Sequence, residues 1–271
     1  MMEDRMQRQR FEFKYLLTEE EAVRAGDFID AYLERDPNSR RQADRAYDVH
    51  SLYLDSDNLD TYWWTVNGSK NRFKLRLRYY DDQPDGPLYF EIKRRMNEII
   101  LKRRARVRKE AAPWILEGQP PEPGWLLAET PESLEAVLQF TRLAERLGAR
   151  PKVHVAYRRE AWVDPRSDGV RATLDRRVAA EAQATPRFPA RLKKPLFPFG
   201  RVVILELKFT DRFPNWFREL VEAFDLVRCG GAKYCMGVTA IGEKRLGHRL
   251  AVFAERGLDP DTLLRVEPAG P

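Results

Sequence analysis

Alternate positions of the run Arg72-Phe73-Lys74-Leu75-Arg76-Leu77-Arg78 are cationic, and the positions between them are apolar. In an extended chain, successive side chains leave on opposite faces. Arg72, Lys74, Arg76 and Arg78 would then share one face, with Phe73, Leu75 and Leu77 on the other. Like charges in a row repel, so a wholly cationic face on a well-formed strand suits a polyanion lying against it. Arginine can grip phosphate oxygens in pairs, while lysine supplies a point charge. Carboxylates recur among cations at strand spacing elsewhere: Glu12 between Arg10 and Lys14, Glu91 near Lys93, Asp175 after Arg171, and Glu206 near Lys208. A few carboxylates in such a setting could form the protein's share of a Mg2+ or Mn2+ site, completed by phosphate oxygens and water. Phosphoryl transfer needs little more than charge neutralisation, in-line positioning and such a metal.

The elements that must position these residues follow from the same periodicity. Charged side chains stand opposite apolar ones in stretches 10–15, 72–80, 88–94, 153–163, 170–175 and 202–209, which are read as strands. A further strand spans 47–55, and a basic one spans 101–107, with Lys102, Arg104 and Arg106 in register. Arg103 and Arg108 blur that last alternation, so it carries less weight and is left out of the cationic set. In stretch 153–163, Tyr157 and Arg159 share a face and Arg158 points the other way.

Thr18 before Glu19-Glu20-Glu21 reads as a helix start with a capping box, the helix running through Leu33. Residues 57–66 read as a short helix, 81–87 as a turn, and 112–131 as a connector with short helical turns. A helix from Pro131 stops at Gly148, loop 185–200 follows later, and helices are predicted over 211–224 and beyond Met236. A sheet that is apolar on one face and charged on the other could stay open or close on itself. Closure is favoured, because so many facing cations are best placed around one shared multivalent anion. The expected fold is α+β: an antiparallel β-barrel forming a tunnel, with helices packed on the outside. One folded unit is expected over 1–271, with its core at about 8–245 and a loose helical tail at 246–271.

Lys and Arg number 48 against 42 Asp and Glu, for a net charge of +6, so the basic character matters only where it is concentrated. No apolar run approaches the ~20 residues of a membrane helix, and the N-terminus shows no secretory h-region. A cytoplasmic protein is expected. Cys229 and Cys235 make no disulfide framework, and His50, His154 and His248 have no metal-ligand spacing. Neither a Walker A sequence nor GxGxxG is present. Glu91 with Glu206 could be a glycosidase pair, but neighbouring cations would depress their pKa values and spoil a general acid. Nucleic-acid binding is disfavoured, since the cations keep strand period on an interior face instead of interleaving with stacking aromatics.

Eight segments in order carry a family resemblance: RFEFKY (10–15), SLYLDS (51–56), KLRLRYY (74–80), YFEIK (89–93), YRREAW (157–162), RATLD (171–175), LELK (205–208) and AKY (232–234). Together they resemble the VTC domain, the polyphosphate polymerase domain of the vacuolar transporter chaperone family within the triphosphate tunnel metalloenzyme superfamily. The resemblance implies transfer of the γ-phosphate of ATP to a growing polyphosphate chain, with a divalent metal, typically Mn2+. It implies catalytic roles for Lys14, Arg76, Arg78, Arg159 and Glu206, with Glu206 carrying the metal. Lys74, Lys93, Tyr157, Lys208 and Lys233 would bind substrate, joined by Arg10 and Arg171 as further cations of the bore. Two positions depart from related patterns. Arg10 stands where the hydrolase branch's ExExK motif has its first acid, which argues against a plain triphosphatase. Ala232 stands where the VTC pattern often has Ser, so one hydroxyl donor is lost. The phosphate-sensing and membrane domains of eukaryotic versions are not in this sequence, so action at the inner face of a membrane would need a separate partner. A non-catalytic polyphosphate- or nucleotide-binding module remains the alternative, with a triphosphatase after it.

Overall fold

The computed structural model describes residues 10–97, 99–167, 169–210, 212–247 and 259–264, without the side chains of Arg10 and Asp261. The expected place of the Arg10 side chain in the bore, His248, and most of the expected C-terminal tail lie outside the described residues. The strands are β1 (Arg10–Leu17), β2 (Glu34–Arg35), β3 (Tyr47–Asp55), β4 (Asn71–Tyr79), β5 (Pro87–Met96), β6 (Ile99–Arg108), β7 (Arg150–Val163), β8 (Val170–Ala182) and β9 (Val203–Thr210). The helices are α1 (Glu19–Asp30), α2 (Pro37–Arg40), α3 (Asp60–Val66), α4 (Ala112–Leu116), α5 (Pro131–Leu147), α6 (Asn215–Ala223), α7 (Lys233–Ile241), α8 (Glu243–Leu246) and α9 (Pro260–Leu264).

All strand pairings are antiparallel, in the order β2-β7-β3-β4-β5-β6-β1-β9-β8. Strand β8 pairs with β7 as well as β9, so the sheet curls round on itself. Among the described residues the thin seam lies between β1 and β6, which pair there at Arg10 and Ile100. The result is the expected antiparallel tunnel with helices outside.

Two apolar layers cover the outer face of the sheet. Leu52, Leu75, Leu77, Leu88 and Phe90 pack under α5 through Val137 and Phe140, the Phe90 and Phe140 rings meeting edge-on at 4.9 Å. Leu17, Trp162, Leu174, Leu205 and Leu207 pack with Ile29 of α1 and with Phe217 and Leu220 of α6. Full burial of such a side chain contributes about 1.5–3 kcal/mol. These outward-facing residues are what hold the inward-facing charges in place. Local signals end the helices where chemistry requires it: the Thr18–Glu21 capping box starts α1, and Gly148, at φ 61°, ends α5.

Some boundaries differ from the sequence reading. Helix α1 stops at Asp30, not Leu33, because the chain turns to form the short β2 and then α2, with Pro37 at its start. The helix expected from Asp211 begins at Asn215, after Pro214. Strand β8 runs beyond Asp175 to Ala182, and its register against β7 shifts near Arg177, whose φ is 51°. The shift is a β-bulge, which changes the facing parity of the strand. Beyond it, Val178 and Ala180 join Val153 and Val155 in an apolar patch on which Tyr234 and Val238 of α7 sit.

Gly237 makes that docking possible. A Cβ there would meet the Ala180 Cβ at 3.0 Å and a Val153 methyl at 3.4 Å. Gly237→Leu is expected to destabilise the protein by about 1–3 kcal/mol through overpacking, and to weaken anion binding because Lys233 opens the same helix. Urea denaturation and anion titration check both parts.

Candidate functional site

The inward faces enclose a cavity of about 2680 Å³. Lys14, Lys74, Arg76, Arg78, Lys93, Tyr157, Arg159, Arg171, Glu206, Lys208 and Lys233 all line it. The structure thus brings together every candidate whose side chain it describes. Lys102 and Arg104 of β6 also line it, as do Tyr53 and Glu12. Arg103 and Arg108 hide these two β6 cations from an alternation argument. Arg103 instead lies on the outer face and pairs with Glu135 of α5 at 2.6 Å, an ordinary surface contact. Arg158 pairs with Asp44 and Asp48, at 2.7 and 3.2 Å, and reaches only the cavity's edge, whereas Arg159 pairs with the buried Asp175 and Glu206.

The cations are organised around buried carboxylates. Glu91, fully buried, accepts from Arg76 Nε at 2.7 Å and lies 3.9 Å from Arg78 and 3.5 Å from Lys102. Arg78 also donates to the Tyr157 hydroxyl at 3.2 Å, and Arg76 to that of Tyr53 at 3.2 Å. Arg159 grips Asp175 with two nitrogens, at 2.6 and 2.7 Å, and reaches Glu206 at 3.2 Å. Glu206 accepts from Lys208 and from Lys233, both at 2.7 Å. Lys233 also pairs with Asp175 at 2.6 Å. Lys14 stands between Glu12 at 3.3 Å and Glu206 at 3.5 Å, and its ammonium also donates to the Gly231 carbonyl at 3.2 Å. Lys93 binds Glu12 at 2.9 Å. Lys74 donates to the Thr65 hydroxyl at 2.8 Å, and among the described residues no carboxylate pairs with it.

Burial opposes ionisation of every one of these groups, and the outcome is set by their neighbours. Against that opposition, Arg76, Arg78 and Lys102 hold the Glu91 carboxyl well below the usual range. Lys208, Lys233, Lys14 and Arg159 do the same for Glu206. Neither is therefore a general acid, which removes the glycosidase reading. Lys102 is pushed down to about 7 by burial, with Glu91 pulling the other way and Arg104 adding to the fall. Lys208 is lowered to about 8 by burial, again against the pull of Glu206.

A bound polyanion would raise both lysine values, so the sign of a linked proton flow follows. With values of about 7 and about 8, these lysines are partly neutral near pH 8, and anion binding should draw protons in. Titrating tripolyphosphate at pH 8 in buffers of different ionisation heats should show proton uptake, reduced in Lys208→Met. Proton release, or none, would contradict the assignment.

Two carboxylates, Glu12 and Glu206, share the Lys14 ammonium between them. Among the described residues no cluster of three or more His, Cys, Asp or Glu could hold a metal by itself. Glu12 and Glu206 are each ion-paired with lysines in the bore, so they could serve a divalent cation only together with phosphate oxygens and water. The alternation offers Glu12, Glu91, Asp175 and Glu206 for this role, and the family resemblance points to Glu206. The pairing of β1 with β9 sets Lys14 opposite Glu206 and so brings Glu12 and Glu206 to the same ammonium.

A cationic bore crossed by antiparallel strands and floored by buried carboxylates defines an anion-holding tunnel protein. Residues 9–241 match the VTC domain, and the chain belongs to that family. No curated protein matches the chain. Among solved structures, a putative adenylate cyclase from Bacillus halodurans shows 12% identity and a TM-score of 0.45, covering 82% of this chain and 92% of that one. Among the described residues, no helix is long and apolar enough to cross a membrane.

Proposed function

We infer that this protein is a metal-dependent, ATP-using polyphosphate polymerase. One observation carries the reading: arginines and lysines from β1, β4, β5, β7, β9 and α7 converge on one enclosed cavity, around carboxylates too strongly paired to work as acids. Such a site can bind and align phosphates and neutralise their charge, which is most of what phosphoryl transfer asks of a protein. Arg76, Arg78 and Arg159 would hold the triphosphate. Lys14, Lys93, Lys208 and Lys233 would hold the end of the accepting chain, with Lys74 and Arg171 along its path. Glu206 and Glu12 would hold Mg2+ or Mn2+, which would supply further neutralisation of phosphate charge. The terminal phosphate oxygen of the chain is the nucleophile and is already ionised at neutral pH, so no side chain has to remove a proton from it.

Transfer of one γ-phosphate to the chain leaves ADP and a chain longer by one phosphate. With γ-labelled ATP, Mn2+ and a short primer, ADP release should equal label entering polymer, with little free orthophosphate. Label appearing only as orthophosphate would favour a triphosphatase and overturn the reading.

A further inference from the structure

The inward face of β4 changes character along its length. Arg72, Lys74, Arg76 and Arg78 are followed at the next inward position by Tyr80, just past the strand's end. Tyr47 of β3 and Tyr89 of β5 flank it and line the same cavity. The Tyr47 and Tyr80 ring centroids lie 5.9 Å apart, and those of Tyr80 and Tyr89 lie 5.8 Å apart. The Arg104 guanidinium stands over the Tyr89 ring at 5.3 Å. All three rings are only half-buried, whereas the tyrosines deeper in the bore, Tyr53 and Tyr157, are buried and accept from Arg76 and Arg78. Acidic side chains gather at this end: Asp36 accepts from the Tyr47 hydroxyl at 3.3 Å, Asp48 pairs with Arg158, and Asp81 with Lys109.

Phosphates are less well served by this end than by the middle of the bore, because Asp36, Asp48 and Asp81 offset its cations, Arg104 and Arg158, and its rings offer no charge. A flat, uncharged, aromatic group is well served, since its faces can stack on partly exposed rings and on a guanidinium plane. Resting on the reading that the bore takes a nucleoside triphosphate, we propose that Tyr80 and Tyr89, flanked by Tyr47 and Arg104, form the subsite for the nucleobase. Tyr80 lies about 7 Å beyond Arg78 and about 13 Å beyond Arg76 at strand rise. The base therefore sits at the aromatic end while its phosphate tail points along β4 into the cations. Stacking has no donor–acceptor code, so the subsite tolerates different bases and distinguishes a nucleotide from a bare phosphate chain.

The test is calorimetric titration of ATP and of tripolyphosphate, which has no base, into the wild type, Tyr80→Ala, Tyr89→Ala and Tyr80→Phe. The alanine variants should lose about tenfold in ATP affinity, with tripolyphosphate affinity unchanged and Tyr80→Phe close to wild type. Equal losses for both ligands, or no loss for either, would overturn the subsite while leaving the phosphate-binding bore intact. A wild type that binds neither ligand would overturn the bore and the subsite together.

Discussion

Glu91→Ala should destabilise the protein by about 3–5 kcal/mol, the range for breaking a buried ion pair from one side. Its carboxylate has no solvent exposure, and its partners are Arg76, Arg78 and Lys102. Removing it leaves their charges facing one another in a space where water screens poorly. The pH dependence has a definite sign. Glu91 is depressed in the folded state, so its contribution is complete above the unfolded carboxylate range and is lost as pH falls toward the folded value. Urea denaturation of wild type and variant at neutral and acid pH measures both features. The difference between them should shrink in acid. Saturating tripolyphosphate should restore more stability to the variant than to the wild type, because it replaces the missing negative charge. A loss below about 1 kcal/mol would mean that Glu91 is not the counter-charge of the bore.

Glu206→Ala should separate binding from synthesis. Four cations, Lys14, Arg159, Lys208 and Lys233, lie within ion-pair distance of this carboxylate. Its removal frees them for phosphate, so affinity for a short polyphosphate should hold or rise. Synthesis should fall by about 100-fold or more, the scale for losing one preorganised electrostatic group in a site of this kind. Glu206→Gln keeps the shape and guards against misfolding of the alanine variant. Weaker binding with undiminished synthesis would reverse the proposed role.

The tunnel was legible because a strand's two-residue period sorts side chains without knowledge of their partners. The rule chose Arg159 over Arg158, and it placed Lys74, Arg76 and Arg78 on one face with Glu91 and Lys93 on the next strand. It failed where the outer face also carried charge. On β6, Arg103 answers Glu135 of α5, so cations on both faces hid the inward Lys102 and Arg104. It does not carry past Asp175 into the β8 bulge, where one residue with positive φ flips the facing of Val178 and Ala180. Pairings between distant segments were beyond it altogether. That Lys14 bridges Glu12 and Glu206 follows from β1 lying beside β9, and periodicity within either strand does not encode that neighbourhood. The short β2 and α2 were missed for a related reason, since two strand residues and one helical turn are too brief to show a period.

Polymer synthesis is tested most directly by a gel of the products formed from ATP, Mn2+ and a short polyphosphate primer by the wild type, Glu206→Ala and Arg76→Ala. A ladder of chains longer than the primer from the wild type, absent with either variant, is the expected result. No ladder from a wild type that nevertheless binds the primer tightly, with binding lost in Arg76→Ala, would contradict polymer synthesis and make the bore a polyphosphate receptor.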